Sequence, residues 1–326
     1  MRLRRILLAV AVTAGTLLGA QAQTPGASEW PARPVRIIVP FPPGGANDIA
    51  ARSIGLEIGP ALSQPVIVDN KTGAGGLVGY SAAAQSKDGH TLLMASTSIS
   101  LLPSLSPGAA NYDLARDFEP VGWVSAFPGV LVVPASSKIR TVQELLAEMR
   151  ASPGKVSCGN GGIGTSSHLG VELFLSVTRT SCTGVPYRGE GALAPALMAG
   201  EVAMAFSNLP GVLPHIKSGK IRVLAVAASE PSPDLPGVPT LESMGLTGME
   251  VTGWVVLLAS KGMPEEAIAR LDKLLQQSLA SKGVRERFAA GGLIPMAGGR
   301  DKLMAYMLRE QARWGKLIRE RDIRAQ

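Results

Sequence analysis

Close to its N-terminal end the chain reads Val35-Arg36-Ile37-Ile38-Val39-Pro40-Phe41-Pro42-Pro43-Gly44-Gly45-Ala46-Asn47-Asp48. The β-branched residues at the beginning of this stretch predict a short, buried strand. The segment rich in proline and glycine predicts a tight turn. The polar pair at its end supplies natural N-cap residues for a helix that starts near Ile49. The stretch therefore predicts a strand, a glycine-rich turn and a helix in direct succession.

The same order of elements recurs along the chain with different residues. Helical segments follow several short apolar runs, and strands that alternate with helices indicate parallel sheets covered by helices. The sequence therefore predicts an α/β fold. The further strands are predicted at 65–70, 91–95, 129–133, 155–158, 183–187, 202–206, 223–227 and 255–259.

Two such α/β units and two helices at the C-terminal end suggest a protein with two lobes. We place the first lobe at residues 30–125 together with 255–326, and the second, inserted lobe at residues 126–254. Each lobe is expected to contain a mainly parallel sheet flanked by helices. Apolar residues at helical spacing define one face of each terminal helix: Ile268, Leu271, Leu275, Leu279, Leu303, Met307, Trp314 and Ile318.

The composition excludes several classes of protein. Of the 326 residues, 46% are hydrophobic and 17% are charged, which excludes a disordered chain because disorder requires low hydrophobicity. Two cysteines cannot staple a chain of this length, so a disulfide scaffold is excluded as well. Only 4% of the residues are aromatic, whereas sites for single-stranded nucleic acid rely on aromatic stacking. We therefore expect no nucleic-acid partner.

The first 22 residues have the layout of a secretory signal peptide. Three arginines precede an apolar run from Ile6 to Leu18, and Ala20-Gln21-Ala22 provides small residues for cleavage. This run is shorter than the roughly 20 residues that a transmembrane helix needs. Without residues 1–22 the formal net charge of +7 falls to +4, because those three arginines are lost. We therefore expect an exported, mildly basic protein of a bacterial periplasm.

Glycine-rich turns open three of the predicted helices, at 44–48, 73–76 and 159–167. Such a turn exposes backbone N–H groups at the positive end of a helix dipole, where anions bind favourably. In open α/β sheets, ligands bind at the carboxyl ends of the strands, where these turns lie. Turns that converge on one cleft would form an anion site that needs no arginine. Turns that lie apart would be ordinary tight connections, and both interpretations are open at this point.

The segment Gly159-Asn160-Gly161-Gly162-Ile163-Gly164 matches the glycine pattern of dinucleotide-binding proteins. Such a site also needs an acidic residue about 20 positions further on, at the end of the next strand. No carboxylate stands between Glu172 and Glu190, and the strand in question ends in Tyr187-Arg188. We therefore expect no dinucleotide cofactor.

Residue patterns that would support catalysis are weak. The sequence has no G-x-S-x-G elbow. Ser166 and His168 could belong to a triad, but only geometry identifies one. The three histidines lack the spacing of zinc sites. We therefore expect no catalytic residue, no metal and no cofactor, and we keep a periplasmic serine hydrolase that acts on a carboxylate ester through Ser166 and His168 as the alternative.

The two cysteines are predicted on neighbouring strands, with Cys158 at the end of one and Cys182 at the start of the next. In parallel neighbours these positions lie at opposite ends, beyond the Cα separation of about 7 Å that a disulfide tolerates. An oxidising compartment would permit a bridge, but the predicted positions favour two unpaired thiols.

Several short motifs, weak on their own, occur in an order and spacing that resembles one family over essentially the whole mature chain. That family is the tripartite tricarboxylate transporter substrate-binding proteins, also called the TctC or Bug family. The motifs are Pro34-Val35-Arg36-Ile37-Ile38-Val39-Pro40-Phe41, Pro43-Gly44-Gly45, Asp48-Ile49-Ala50-Ala51-Arg52, Val68-Asp69-Asn70-Lys71, Gly73-Ala74-Gly75-Gly76, Gly159-Asn160-Gly161, His168-Leu169, Val185-Pro186-Tyr187-Arg188-Gly189, Asn208-Leu209-Pro210 and Leu213-Pro214-His215-Ile216-Lys217-Ser218-Gly219.

The resemblance implies a periplasmic-binding-protein fold of the second type, in which two α/β lobes close over a small carboxylate. It also implies that loops of both lobes hold the carboxylate through backbone amides, small polar side chains and bridging water. Carried over position by position, the implied ligand-binding residues are Phe41, Gly44, Gly45, Asn47, Asp48, Ser96, Thr97, Asn160, Gly161, Thr165, Ser166, Tyr187 and Asn208.

Three positions depart from the pattern of the family that the chain resembles. Many members have an aspartate where this chain has Ser207, which argues against an amino-acid ligand. Some members have a second cysteine where Glu190 stands, so Cys158 lacks the partner that it has in that subgroup. Gly162 replaces a small polar residue, which suggests a more flexible loop.

From the residues and the resemblance together we expect a monomeric solute receptor that captures a small organic carboxylate without turnover. The resemblance implies delivery to membrane subunits of a tripartite tricarboxylate-type transporter. A receptor that serves a signalling sensor is a further alternative. The sequence leaves open which carboxylate is bound and whether the lobes are open or closed.

Overall fold

A computed structural model describes residues 30–296, 298–320 and 323 of the chain. The signal peptide predicted at 1–22 lies outside these residues. The first part contains β1 (Val35–Val39), α1 (Ala46–Leu62), β2 (Val66–Asn70), α2 (Leu77–Gln85), β3 (Thr91–Ser96), α3 (Ser98–Leu105), α4 (Leu114–Asp117) and β4 (Phe118–Pro134). The middle contains α5 (Val142–Ala151), β5 (Ser157–Asn160), α6 (Ser166–Thr178), β6 (Thr183–Pro186), α7 (Glu190–Ala199), β7 (Met204–Asn208), α8 (Leu209–Lys217) and β8 (Ile221–Ala227). The last part contains β9 (Thr252–Ser260), α9 (Glu265–Ala280), α10 (Lys282–Ala290), β10 (Ile294–Pro295) and α11 (Leu303–Glu320).

The strands form two sheets that share β4. In the first sheet the order is β2-β1-β3-β9-β4, with β10 paired to β4. In the second sheet the latter part of β4 lies between β7 and β8, and β5 and β6 continue from β7. Strand β4 pairs with β9 up to Pro128 and with β7 and β8 from Gly129 onward. The chain returns beside this point, where the Gly129 N–H donates to the Val251 carbonyl at 2.8 Å.

The α/β fold is confirmed, but both sheets are mixed in strand direction. The strands of the repeated units pair in parallel, as β1 does with β2 and β3, and β5 with β6 and β7. Strands β4 and β9 pair antiparallel with their neighbours because they carry the chain from one sheet to the other and back. The two points at which the chain crosses from one sheet to the other lie close to residues 126 and 254, which we retain as the proposed limits of the lobes.

Each sheet is buried on both faces by helices. Val35, Ile37 and Val39 of β1 pack on the side of α1, α9 and α10, whereas Ile38 faces α2, α3 and α11. In the second sheet, Leu131 of β4 faces α5 and α6, while Val130 of the same strand faces α7 and α8. This alternation is the expected result of side chains that point to opposite faces of a strand, and helices on both faces are typical of α/β proteins.

The two C-terminal helices bury the faces that the sequence predicts. Ile268, Leu271, Leu275 and Leu279 of α9 belong to the core beneath the first sheet. In α11, the first half packs on the other side of that sheet, and Trp314 and Ile318 join a cluster with α3 and Leu169 of α6. None of the helices within the described part of the chain has the length and apolar content to cross a bilayer.

Two helices start at residues different from those that the local pattern predicts, and a third helix is not predicted at all. Helix α1 starts at Ala46 with Gly45 as its N-cap, and neither Asn47 nor Asp48 caps it. Helix α6 starts at Ser166, where the Thr165 side chain accepts a hydrogen bond from the His168 N–H and acts as N-cap. Helix α3 occupies 98–105, where no helix is predicted from the sequence.

The expectation of two free thiols is wrong, because Cys158 and Cys182 form a disulfide. Strand β5 starts at Ser157 and runs on to Asn160, so Cys158 lies near its beginning. Ser157 pairs with Thr183, which places Cys182 at the same end of the two strands. Their Cα atoms are 6.1 Å apart, within the range that a disulfide spans.

Candidate functional site

A cavity lies between the two sheets, at the carboxyl ends of their strands. Its walls come from the ends of β1, β3, β5, β6 and β7 and the turns that follow them, with one residue from β4. The cavity volume is about 80 Å³, space for several waters or one small organic molecule. The lining residues are Phe41, Pro42, Pro43, Gly45, Ala46, Asn47, Ser96, Thr97, Ser98, Phe127, Gly161, Thr165, Ser166, Gly189, Glu190, Gly191 and Asn208.

Most of the ligand-binding residues predicted from the sequence lie in the walls of this cavity. Two of the three glycine-rich turns converge there, as the first of the two interpretations requires. That these residues contact a ligand stays a prediction. The predicted residues in the walls are Phe41, Gly45, Asn47, Ser96, Thr97, Gly161, Thr165, Ser166 and Asn208.

Asp48 and Gly44 do not line the cavity but hold its first loop in shape. The Asp48 carboxylate accepts hydrogen bonds from the Gly44 N–H at 3.0 Å, Arg52 Nε at 2.9 Å and Asn70 Nδ2 at 3.0 Å. Burial alone would raise the pKa of Asp48. The hydrogen bonds from Arg52, Gly44 and Asn70 together lower it by more, so its pKa lies below the ordinary value of 3.8. Asp48 therefore acts as an ionised anchor behind the loop.

Asn160 also supports a loop and does not line the cavity. Its Oδ1 accepts a hydrogen bond from the Gly162 N–H at 2.9 Å. The Gly161 N–H donates to Ser167 Oγ at 2.9 Å, and the Gly164 N–H lies 3.4 Å from His168 Nδ1. These three amides are already used by side chains. Three backbone donors of the glycine-rich loop of the second sheet are therefore not free for an anion.

Tyr187 and the turn at 73–76 lie together in a separate groove beside the cavity. The Tyr187 hydroxyl contacts Glu201 Oε2 at 3.5 Å, on the outer surface. Gly75 approaches the carbonyl of Ile163 so closely that a Cβ would overlap it. This turn therefore packs against the loop of the second sheet and does not contribute to the main cavity.

Neutral hydrogen-bonding groups dominate the polar part of the cavity. After β3, Ser98 Oγ lies 2.5 Å and Ser96 Oγ 3.3 Å from the buried Tyr80 hydroxyl. Burial raises the pKa of Tyr80 to about 12, so its proton stays in this network. On the other side, Ser166 Oγ donates to Asn208 Oδ1 at 2.9 Å. This pairing leaves the Asn208 amide nitrogen as a donor.

Glu190 is the one carboxyl group among the described lining residues, and no lysine, arginine or histidine stands beside it in that set. Its Oε2 accepts a hydrogen bond from Ser207 Oγ. Its Oε1 is buried without a hydrogen-bond partner. Burial raises the pKa of Glu190 to about 7, and hydrogen bonds from Ser207, Ser167 and the Asn208 backbone offset only part of this rise.

The sequence analysis missed several lining residues. Ser98 follows two predicted residues directly, so its neighbours could have indicated it. Glu190 was noted only as the replacement for a cysteine, although it directly follows a motif of the resemblance. Phe127 has no local signal, because it lies inside the long strand β4. The remaining missed residues are Pro42, Pro43, Ala46, Gly189 and Gly191.

The geometry does not form a catalytic pair from Ser166 and His168. Ser166 Oγ donates to Asn208, and His168 Nδ1 faces the Gly164 N–H. A nucleophile and its base must lie within hydrogen-bond reach. Burial lowers the pKa of His168, which keeps the ring neutral. Over the described ranges, no three His, Cys, Asp or Glu side chains are grouped as metal ligands would be.

Comparison with known proteins places this architecture among solute receptors. Residues 50–323 match the family model described as "Tripartite tricarboxylate transporter family receptor". Protein BugT of Bordetella pertussis is 36% identical over 330 residues, covering 98% of each chain. The structure of periplasmic binding protein BugD has a TM-score of 0.85 and 29% identity, and covers 91% of this chain and 100% of its own. The structure of R. palustris Rpa4515 with adipate has a TM-score of 0.85 and 30% identity, with coverages of 90% and 98%.

Both solved structures share the fold of this chain through both sheets, and BugD is a periplasmic binding protein. The sequence resemblance is therefore confirmed at the level of the family. The chain belongs to the tripartite tricarboxylate transporter family receptors, the TctC or Bug family of periplasmic solute-binding proteins.

Proposed function

We propose that this receptor captures a small organic carboxylate in the cavity between its two sheets. The observation that carries the proposal is the position and chemistry of the cavity. Loops of both sheets meet there at the carboxyl ends of the strands, where ligands of α/β proteins bind, and they present hydroxyl and amide groups. The relative with adipate supports a dicarboxylate or a similar acid.

Neutral donors suffice to bind a carboxylate. Hydrogen bonds to a charged group contribute about 1.5–3 kcal/mol each. Ser96, Thr97 and the amide of Asn208 would form such bonds from opposite walls of the cavity, while Ser166 orients the Asn208 amide by donating to its oxygen. A ligand held from both walls stabilises the closed arrangement of the lobes, because its contacts with each lobe exist together only there.

We further propose that the protein is exported through the signal peptide at 1–22 and acts in the periplasm as a monomer. There it would deliver its ligand to the membrane subunits of a tripartite tricarboxylate transporter. The cavity is too small for a polymer at about 80 Å³, and no turnover is expected because Ser166 and His168 face different partners.

A ligand screen by thermal shift and calorimetry tests this proposal. The panel contains adipate, malate, citrate, benzoate and glutamate, with the corresponding amides as neutral controls. A carboxylate at 100 times its Kd should stabilise the folded state by about 2.7 kcal/mol. Each bound compound is also followed for product formation.

Variants then locate the site. Asn208→Ala should weaken the binding of the best carboxylate at least tenfold, because a charge-assisted hydrogen bond is worth about 1.5 kcal/mol or more. Asn111→Ala provides the control, since Asn111 is exposed and its side chain accepts a hydrogen bond from Ser81. Equal affinity in both variants, or no binding of any carboxylate by the wild type, would refute the proposal.

A further inference from the structure

Glu190 is a half-buried acid with a buried carboxyl oxygen, Oε1, and it lines the cavity in which an anionic ligand would lie. It is the first residue of α7 and lines the cavity together with Gly161 and Asn208. Oε1 lies close to Gly161, since a Cβ at that position would stand 2.6 Å from it. Because Glu190 lines the cavity, a carboxylate bound there would lie beside this residue.

Neutral groups are the hydrogen-bond partners of Glu190: the side chains of Ser207 and Ser167 and the backbone of Asn208, and only the bond from Ser207 has good geometry. Ser207 Oγ donates to Oε2, while Oε1 is buried and unpartnered. An ionised carboxylate that loses water on one oxygen without a replacement is costly to bury. A proton on Glu190 removes the charge and turns the carboxyl group from a pure acceptor into a donor.

The charged groups around Glu190 do not compensate its charge. Arg52 of α1, His215 of α8 and Arg287 of α10 line the neighbouring groove that Glu190 also borders. Arg52 is paired with Asp48 at 2.9 Å, and Arg287 with Glu57 at 2.9 Å. No hydrogen bond or ion pair joins Glu190 to Arg52, His215 or Arg287 in the described part of the chain.

We propose that the receptor captures its carboxylate only while Glu190 is a neutral acid, so that ligand binding is coupled to the uptake of a proton. This inference rests on the proposed function, because it requires an anionic ligand in the cavity. Two carboxylates in one buried site repel each other, and one of them takes up a proton to relieve the repulsion. Glu190 thereby makes affinity depend on pH and favours capture from acidic surroundings.

The direction of the effect follows from the burial of Glu190. Its pKa of about 7 means that the free protein carries the neutral acid below this pH and the carboxylate above it. The carboxyl groups of the ligand titrate mostly below the range in which Glu190 does, because ordinary carboxyl pKa values lie near 4. Affinity should therefore be constant well below pH 7 and fall tenfold per pH unit well above it.

Calorimetric titration with adipate between pH 6 and pH 9 tests the coupling. The apparent Kd is the intrinsic Kd divided by the fraction of competent protein, so the wild type should bind about 100-fold more weakly at pH 9 than at pH 6. In Glu190→Gln the side chain is always neutral and retains a donor, so its affinity should not change over this range. Glu172→Gln removes another carboxyl group of the second sheet's helices, outside the cavity, and should retain the wild-type slope.

Proton uptake gives a second measurement that needs no variant. Wild-type titrations at pH 8 in buffers of different ionisation enthalpy should show uptake of about one proton per ligand. Adipate that binds with the same affinity at pH 6 and pH 9, and without proton uptake, would overturn the inference and leave the carboxylate site intact. If neither the wild type nor Glu190→Gln binds any carboxylate of the panel, the proposed function itself fails.

Discussion

The disulfide between Cys158 and Cys182 should contribute measurably to the stability of the second sheet. It joins the beginnings of β5 and β6 across a sequence separation of 24 residues. In the chain-entropy relation, a loop of this length raises the free energy of unfolding by about 3.5 kcal/mol. We expect reduction of the wild-type protein to lower its unfolding free energy by about this amount.

Urea unfolding followed by circular dichroism, with and without reductant, measures the difference. Because Cys158 is fully buried, replacing it with a smaller residue would leave a cavity that also lowers the stability. Comparing the same sequence in its two redox states avoids this complication. Cys182→Ala is the control, since without the second cysteine the reductant should have no effect on unfolding. The intact mass of the unreduced protein should be lower than that of the reduced protein by two hydrogens. Equal unfolding free energies in both redox states, together with equal masses, would refute the assigned bridge.

Two further variants test contacts behind the cavity. Asp48→Asn should weaken adipate binding about tenfold, because the Gly44 loop loses a charged acceptor worth about 1.5 kcal/mol. The pKa of Asp48 is lowered in the folded protein, so its stabilisation is present above about pH 4 and is lost as the pH falls. Acid unfolding of Asp48→Asn should therefore be less steep, and an unchanged acid profile would contradict the assigned role. Gly170→Ala in α6 should lower the free energy of unfolding by about 1–3 kcal/mol, because its Cβ would overlap the Phe206 ring. Thermal unfolding at or above the wild-type temperature would contradict this packing.

Local sequence patterns predicted the elements that depend on neighbours along the chain. The β-branched run at 35–39 and the apolar face of α9 appear where the pattern indicates. Strand β4 was recognised only in its second part, because Pro120, Gly122 and Pro128 interrupt the pattern in the first. These residues fit a strand there because β9 pairs alongside and register shifts accommodate them.

The site was predictable in position but less so in the roles of its residues. Glycine-rich turns at strand ends located the cavity, since the carboxyl ends of neighbouring strands meet at one edge. Asp48 and Asn160 carry the polar groups expected of ligand contacts, but they use them on their own loops. The environment of Glu190, the first residue of α7, depends on Ser207 in strand β7, and local sequence does not encode this contact.

The position of β9 has a consequence for how the newly made chain behaves. This strand lies between β3 and β4 in the first sheet, yet it is synthesised more than 100 residues after either of them begins. Until residue 260 is available, β3 and β4 cannot be joined, and the N-terminal half lacks the strand that closes its core. The first sheet can therefore complete its core only after the whole second sheet has been synthesised, although its first three strands come at the start of the chain.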